Sequence, residues 1–177
     1  EGMSQPAGFW APRASLDPDG HMGPLVSKEQ MDRVMGYIEA GKRDGASVVM
    51  GGDAPAADGG YYVNPTILAD VNPQMSVVRE EIFGPVVVAQ RYEDLDEVAK
   101  MANDTCFGLG AGIWTKDVSA MHRLASKIKS GTVWGNCHAV IDMALPFGGY
   151  KESGIGREQG QQGLDAYQET KTVIVQL

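Results

Sequence analysis

Residues 86–115 read VVVAQRYEDLDEVAKMANDTCFGLGAGIWT, and the order of patterns within them predicts the fold class. The β-branched run at the start predicts a strand over residues 86–92. Four apolar residues then recur at helical spacing: Leu95, Val98, Ala99 and Ala102. Residues 109–115 predict the next strand. A strand, a helix and a strand in this order are typical of two parallel strands joined by a crossover helix.

A first helix is predicted well before this stretch. Ser27 followed by Gln30 fits a capping box, in which Ser27 caps the helix and the Gln30 side chain bonds back to Ser27. Four apolar residues follow at helical spacing: Met31, Val34, Met35 and Ile38. Gly41 and Gly45 predict the end of this helix.

Short apolar runs predict the remaining strands: residues 47–50, which are expected to be buried, 61–68, 132–136 and 172–175. Further helices are predicted from Met121 to Ile128 and near residues 160–167. The sequence therefore predicts one α/β domain over residues 16–177, with a mainly parallel sheet flanked by helices. Residues 1–15 show no periodicity and are expected to form a loose N-terminal tail.

Composition excludes several classes of protein. The 177 residues include 15 basic and 23 acidic side chains, and the net charge of −8 argues against binding to nucleic acid or to anionic membranes. No apolar run approaches the roughly 20 residues of a membrane helix, and no secretory signal begins the sequence. Cys106 and Cys137 are too few for a disulfide framework, and with three histidines they predict no metal site. A reduced, cytoplasmic location is expected.

Two glycine patterns invite comparison with a dinucleotide-binding loop, residues 108–112 and 154–156. That loop needs a strand before its glycines and a helix that begins at the last one. The first pattern lies inside a predicted strand and the second follows a polar loop. Both are therefore interpreted as sites of tight packing and turns.

The segment EEIFGP, residues 80–85, places two carboxylates and an aromatic ring just before a strand. A carboxylate there can accept hydrogen bonds from sugar hydroxyls, and the ring of Phe83 can pack against a flat ligand ring. The alternative from composition is a solvated pair of charges beside a buried Phe83.

A long glycine-rich loop covers residues 144–158, and long loops in compact domains are usually functional. Cys137 immediately precedes His138, which suggests a nucleophile and its base. Neighbours on a strand point to opposite faces, however, so a buried structural Cys137 is the preferred interpretation.

Several motifs, taken together and in order, resemble the C-terminal catalytic-domain portion of the NAD(P)-dependent aldehyde dehydrogenases. Within that family the sequence looks similar to the betaine-aldehyde and phenylacetaldehyde types. The resemblance runs from about Leu16 to Val175. It is carried by Met22-Gly-Pro-Leu-Val-Ser27, Tyr62-Val-Asn-Pro-Thr66, Glu80-Glu-Ile-Phe-Gly-Pro85, Asn103 with Gly108-Leu109, Thr115-Lys116-Asp117, Gly131-Thr-Val-Trp134, Asn136-Cys137 and Pro146 to Glu158.

The resemblance implies functions for particular residues. Glu81 resembles the glutamate that binds the nicotinamide-side ribose, and Phe83 resembles the phenylalanine that packs near the nicotinamide. Phe147 matches an aromatic residue of the substrate pocket. Ile141 stands where many members carry another pocket aromatic. The absence of that aromatic ring implies a weaker aromatic cage for a cationic substrate. His138 stands where tyrosine is common.

Further correspondences concern catalysis and assembly. Glu158 resembles a glutamate that helps to relay protons from the general base in some members; an ion pair with Arg157 or Lys151 is the alternative. Arg157 and Glu169 match positions near a subunit interface. Residues 171–175 resemble a strand that joins an intersubunit sheet, which implies a homo-oligomer, because an exposed edge strand needs a partner or another cover.

The sequence also departs from the family. It contains no glutamine-cysteine motif, no general-base glutamate, no oxyanion-hole asparagine and no nucleotide-binding domain, and the family's chain is well over twice this length. The prediction is a truncated aldehyde dehydrogenase that does not oxidise aldehydes by itself and does not bind NAD or NADP tightly. Two alternatives stay open: a small esterase that uses Cys137 on an ester substrate, and a non-catalytic oligomerisation module.

Overall fold

The computed structural model describes residues 9–55 and 59–177. By its internal contacts the chain divides into two compact units, Glu1–Arg91 and Tyr92–Leu177. Residues 1–8 of the predicted tail lie outside the described residues. The predicted domain boundary at residue 16 stays a prediction.

Over residues 9–55 and 59–91 the first unit has two named helices and a three-stranded sheet. Its elements are α1 (Lys28–Arg43), β1 (Ser47–Met50), β2 (Thr66–Ala69), α2 (Ser76–Arg79) and β3 (Val86–Val88). The strand order is β1-β2-β3. β1 pairs antiparallel with β2, and β2 pairs parallel with β3, with Thr66 opposite Val86 and Leu68 opposite Val88.

The second unit contains one crossover and a closing loop. Its elements are α3 (Leu95–Asn103), β4 (Gly110–Ile113), α4 (Val118–Lys127), β5 (Thr132–Gly135), a 3-10 turn (Lys151–Ser153) and α5 (Gly160–Asp165). β4 and β5 are parallel, with Gly110 opposite Thr132 and Ile113 opposite Gly135. α4 connects them, as a crossover helix does between parallel strands.

The α/β class is confirmed, and two of the three strand pairings are parallel. Two strand predictions need correction. β1 was expected to be buried, but Ser47, Val48 and Val49 are exposed because β1 is an edge strand. The strand predicted over residues 172–175 does not form within this chain: residues 168–177 have neither helix nor strand, and Ile174 is 89% exposed.

Helical periodicity accounts for both cores. Val34 and Ile38 of α1 are fully buried and pack with Leu68 of β2 and Val77 of α2. In the second unit a smaller cluster joins α3, β4 and α4 through Ala99, Ile113 and Leu124. The helices α1, α3 and α4 therefore each bury one apolar face against their own unit, and their polar residues lie on the remaining faces.

The ends of α1 follow the capping rules with one exception. The Ser27 side chain accepts a hydrogen bond from the backbone N–H of Gln30 at 3.1 Å, as predicted. The Gln30 side chain does not bond back, however, because it reaches residues 82 and 83. Gly41 lies inside the helix, and the helix ends at Arg43 before Gly45, whose φ of +102° suits glycine.

Residues 9–15 are attached to the loop that follows them. Pro12 pairs with Met22 in an isolated bridge, and the N–H of Arg13 donates to the carbonyl of Met22 at 2.9 Å. The rings of Phe9 and His21 stack with centroids 3.7 Å apart. Over residues 9–55 and 59–177, no helix has the length and apolar character of a membrane span.

A contact between Gly84 and Val34 gives the first testable prediction. A methyl group on Gly84 would lie 2.5 Å from Cγ2 of Val34, which is fully buried and β-branched. Gly84→Ala is therefore expected to lower the free energy of unfolding by about 1–3 kcal/mol. Gly36→Ala is the matched control, because Gly36 of α1 has open space around its Cα, and this change should stabilise by about 0.5–1 kcal/mol. Urea denaturation measures both, and equal midpoints would refute the prediction.

Candidate functional site

The turn at residues 80–84 lies between α2 and β3, and α1 runs beside it. Gln30, Arg33 and Tyr37 are three and seven positions apart on α1, so they lie along one side of the helix. Each contacts a residue of the turn. We call these three residues the polar row of α1.

Two members of the row bind backbone carbonyls of the turn. The side-chain amide of Gln30 donates to the carbonyls of Ile82 at 3.1 Å and of Phe83 at 2.9 Å. The guanidinium of Arg33 donates to the carbonyl of Glu81 at 3.2 Å. Three successive carbonyls of the turn are thus held from one helix.

Tyr37 binds one of the two acidic residues of the turn and not the other. Its hydroxyl donates to Oε2 of Glu80 at 2.6 Å, and this hydrogen bond raises the pKa of Tyr37. The Arg33 guanidinium lies 5.6 Å from the centre of the Tyr37 ring. Glu80 therefore has partners, whereas the exposed carboxylate of Glu81 accepts no hydrogen bond from the described residues. Both glutamates are exposed, as the alternative of a solvated pair of charges expects, but Glu80 is also bound to Tyr37.

Phe83 adopts an uncommon backbone conformation and is not buried. Its φ is +55°, in the left-handed region that non-glycine residues rarely occupy, and its side chain is 69% exposed. The amide of Gln30 on its carbonyl and the close packing of Gly84 on Val34 define this backbone path. The alternative of a buried Phe83 is therefore wrong, and the ring is accessible to a ligand.

An open depression of about 380 Å³ adjoins the turn. Its lining combines carboxylates with apolar surface and includes Val77, Glu80, Glu81, Phe83, Val86 and Val88. A free carboxylate can accept hydrogen bonds from neighbouring ribose hydroxyls, and an exposed ring can pack against a planar heterocycle. These residues fit the nicotinamide half of a dinucleotide.

In the second unit the glycine-rich loop is anchored on Gly108. The Gly108 carbonyl accepts hydrogen bonds from the N–H groups of Gly131 at 2.9 Å and Tyr150 at 2.8 Å, and its own N–H donates to Oγ of Ser153 at 2.9 Å. The backbone contacts are so close that a methyl group on Gly131 would overlap the Gly148 carbonyl. The loop is therefore fixed through its main chain.

Phe147 and Glu158 face each other across this loop. Each N–H donates to the other residue's carbonyl at 2.8 Å, which leaves Phe147 half-buried and Glu158 exposed. Ile141, the other residue assigned to the pocket, is 53% exposed. The fold thus presents all three side chains at the surface of the second unit.

The predicted ion pair of Glu158 does not form. Arg157 donates to the carbonyls of Gly149 at 3.0 Å and Gly156 at 2.5 Å, and lies 5.3 Å from the centre of the Tyr150 ring. Lys151 donates to two other carbonyls, those of Asn103 and Thr105. Both cations are used to hold the loop, so the Glu158 carboxylate stays available. An interface function of Arg157 and of the exposed Glu169 stays a prediction.

Cys137 and His138 lie beyond the end of β5, so the alternation of strand faces does not apply to them. Cys137 is half-buried rather than buried, and Cys106 is exposed. The His138 ring packs edge-on against Trp134 with centroids 5.2 Å apart. In residues 92–177 no hydrogen bond joins the Cys137 thiol to a base, and in the described part of the chain no group of three acidic, histidine or cysteine residues could hold a metal.

Sequence reasoning missed the polar row of α1. Its signal was present, because the three polar residues follow the helical period beside the apolar face. Their partners, however, lie 43 to 53 positions further along the chain. The helix pattern predicts that such residues are exposed, and tertiary packing decides what they meet.

Comparison with known proteins identifies relatives over most of the chain. Residues 10–173 match the model of the aldehyde dehydrogenase family. The Bacillus subtilis protein DhaS is 51% identical over 164 residues, which cover 93% of this chain and 33% of that protein. The betaine aldehyde dehydrogenase of Brucella anthropi is 48% identical over 165 residues, which cover 92% of this chain and 34% of that protein.

A solved structure shows the same fold. The NAD+ complex of an aldehyde dehydrogenase from Bacillus cereus superposes with a TM-score of 0.92 at 46% identity, over 97% of this chain and 35% of that one. The chain therefore spans about a third of the length of its relatives. The family match begins at Trp10, earlier than the predicted start at Leu16.

The hydrogen bonds of Gln30 give a second prediction. Gln30→Leu keeps the helix but removes the donor to two carbonyls, and at roughly 0.5–1.5 kcal/mol for each bond it should cost about 1–3 kcal/mol of unfolding free energy. Gln74→Leu is the control, because Gln74 is exposed and its side chain has no partner among the described residues. Urea denaturation compares the two variants. If Gln30→Leu loses no more unfolding free energy than Gln74→Leu, the Gln30 hydrogen bonds do not stabilise the turn and the prediction is wrong.

Proposed function

The chain belongs to the aldehyde dehydrogenase family, and from this premise we propose that it supplies the cofactor-facing turn and the substrate loop of an NAD(P)-dependent aldehyde dehydrogenase. The reaction is the oxidation of an aldehyde to a carboxylic acid. The first unit carries the residues that face the cofactor, and the second unit carries those that face the aldehyde.

The cofactor assignment is supported by the free side chains of the turn. Because the polar row of α1 takes up the carbonyls and Glu80, the carboxylate of Glu81 and the ring of Phe83 are left exposed together beside the depression. Glu81 binds the ribose hydroxyls on the nicotinamide side, and Phe83 packs against the nicotinamide. The cofactor, when bound, supplies the hydride acceptor.

The substrate assignment is supported by the loop after β5. Phe147 and Ile141 form part of the wall against which the aldehyde packs, and the Gly108 anchor holds that loop in place. Glu158 is a candidate for proton relay because its carboxylate is exposed and unpaired in the described structure. Relatives named betaine aldehyde dehydrogenase support an aldehyde as the substrate.

The chemical step needs groups that these 177 residues do not supply. Attack on an aldehyde requires a thiolate with a base beside it, and Cys137 has no such partner in the second unit. The chain alone is therefore proposed to be inactive and to bind NAD or NADP weakly. Assembly through residues 171–175 is proposed because three large apolar residues there, Val173, Ile174 and Val175, are exposed and lie in no strand of this chain. The two free cysteines support a cytoplasmic location.

Inactivity of the isolated chain is the third prediction. The purified 177-residue protein, assayed with NAD and with NADP against betaine aldehyde, phenylacetaldehyde and hexanal, should give no reduced cofactor, because no activated nucleophile is present. The Bacillus cereus enzyme in the same assay is the positive control. Cofactor reduction that is lost in the Cys106→Ala, Cys137→Ala double variant would show that one of these thiols is catalytic and would overturn the proposal.

The fourth prediction tests Glu81 in an active enzyme. Residues 10–173 of this chain replace the segment on which they superpose in the Bacillus cereus aldehyde dehydrogenase. Glu81→Gln in that chimera should raise KM for NAD about tenfold, because a neutral amide is a weaker acceptor for ribose hydroxyls than a carboxylate. Glu29→Gln, an exposed change in the first turn of α1, is the control. An unchanged KM in Glu81→Gln would remove the cofactor assignment.

A further inference from the structure

We propose that Tyr37 is a positioning residue for the cofactor-facing turn, acting through Glu80 to leave the neighbouring Glu81 carboxylate free and directed outwards. The proposal rests on the proposed function of Glu81. Its basis is the geometry that joins Tyr37, Arg33 and the two glutamates.

The backbone position of Tyr37 is fixed by the packing of α1. It lies between residues of the buried stripe of α1, and both Val34 and Ile38 are fully buried. Its hydroxyl is therefore delivered to one place, where it donates to Oε2 of Glu80 at 2.6 Å. Glu80 in turn follows directly after α2, and its N–H donates to the carbonyl of Ser76. The hydrogen bond thus ties the end of α2 to α1 at the residue before Glu81.

Arg33 contacts both Tyr37 and the backbone of the turn. Its guanidinium lies over the Tyr37 ring, donates to the Tyr37 hydroxyl at 3.5 Å and donates to the carbonyl of Glu81 at 3.2 Å. The positive charge therefore lies beside the Tyr37 hydroxyl that binds Glu80 and beside the backbone of the turn, while the Glu81 carboxylate has no hydrogen-bond partner among the described residues. Without the Tyr37 hydroxyl, Glu80 is free to move and to compete for the same cations and hydroxyl donors as Glu81.

The Tyr37 hydroxyl contributes to the orientation of the turn more than to the core. The bond lies at an exposed surface, and such polar contacts contribute little to global stability. The apolar packing of α1 through Val34 and Ile38 is unaffected by removing one oxygen atom. A change at Tyr37 should therefore act on binding at the turn and leave the rest of the fold unchanged.

Tyr37→Phe in the chimera described above tests the proposal. KM for NAD should rise about twofold to fivefold while kcat stays within about twofold, the range that loss of one ordinary hydrogen bond gives. Tyr61→Phe is the matched control, because Tyr61 is partly exposed in the same unit and its hydroxyl has no partner among the described residues. In the 177-residue chain, amide hydrogen exchange of residues 80–84 should be faster in Tyr37→Phe than in Tyr61→Phe.

Glu80 provides the reciprocal test. Glu80→Ala should raise KM for NAD as Tyr37→Phe does, and the double variant should add little to either single change. Glu80→Gln keeps an oxygen that accepts from the hydroxyl, so its effect should be smaller than that of Glu80→Ala.

The outcomes separate the two proposals. If Glu81→Gln raises KM for NAD and Tyr37→Phe does not, the positioning function is overturned and the proposed function stands. If neither change raises it, the proposed function fails and the positioning proposal fails with it. A fall in kcat with faster amide exchange throughout the first unit would show that Tyr37 is merely structural and would also overturn the proposal.

Discussion

The packing of α1 against the turn at residues 80–84 is the constraint on which the candidate cofactor site depends. Gly84 lies so close to Val34 that no side chain fits between them, and Gln30 on the same helix holds the carbonyls of residues 82 and 83. Val34 is also a central residue of the core. Burial of the apolar stripe and formation of the turn are therefore one event, because the helix cannot do the first without bringing its polar row to the second.

In the second unit, the long loop is held in place mainly by hydrogen bonds between backbone atoms. This loop leaves apolar side chains such as Leu145 and Ile155 exposed, and it is held by hydrogen bonds that converge on Gly108. Glycines at 131 and 148 let two backbone segments approach within a distance that any side chain would prevent. Many of the glycines in this sequence are thus places of close approach between segments, a use that differs from supplying flexible turns. Such an anchor leaves side chains along the loop exposed for binding.

Sequence patterns predicted what depends on local period. The helical spacing of Val34 and Ile38, and of Ala99 and Leu124, placed those residues in the cores where the structure has them. Patterns did not predict the exposure of β1, because an edge strand and a central strand read alike until their neighbours are known. The residues of the turn could be named from the sequence, but their conformation could not. Phe83 has a positive φ where its carbonyl accepts a hydrogen bond from Gln30, 53 positions earlier, and no local pattern reveals that contact.

Main-chain anchoring explains why the free side chains of both units are the ones with a chemical use. A binding site needs side chains whose donors and acceptors have no partner within the protein. Such a side chain is mobile unless its backbone is held. In the turn, each residue of the polar row donates to a carbonyl or to Glu80, so the backbone of Glu81 is held while its carboxylate has no hydrogen-bond partner among the described residues. In the loop, Arg157 and Lys151 likewise donate hydrogen bonds to backbone carbonyls. Glu158 is therefore left exposed on a backbone that is held in place. An ion pair would have occupied acceptor sites of these carboxylates; here the cations bind backbone carbonyls, and the carboxylates keep their acceptor sites for a ligand.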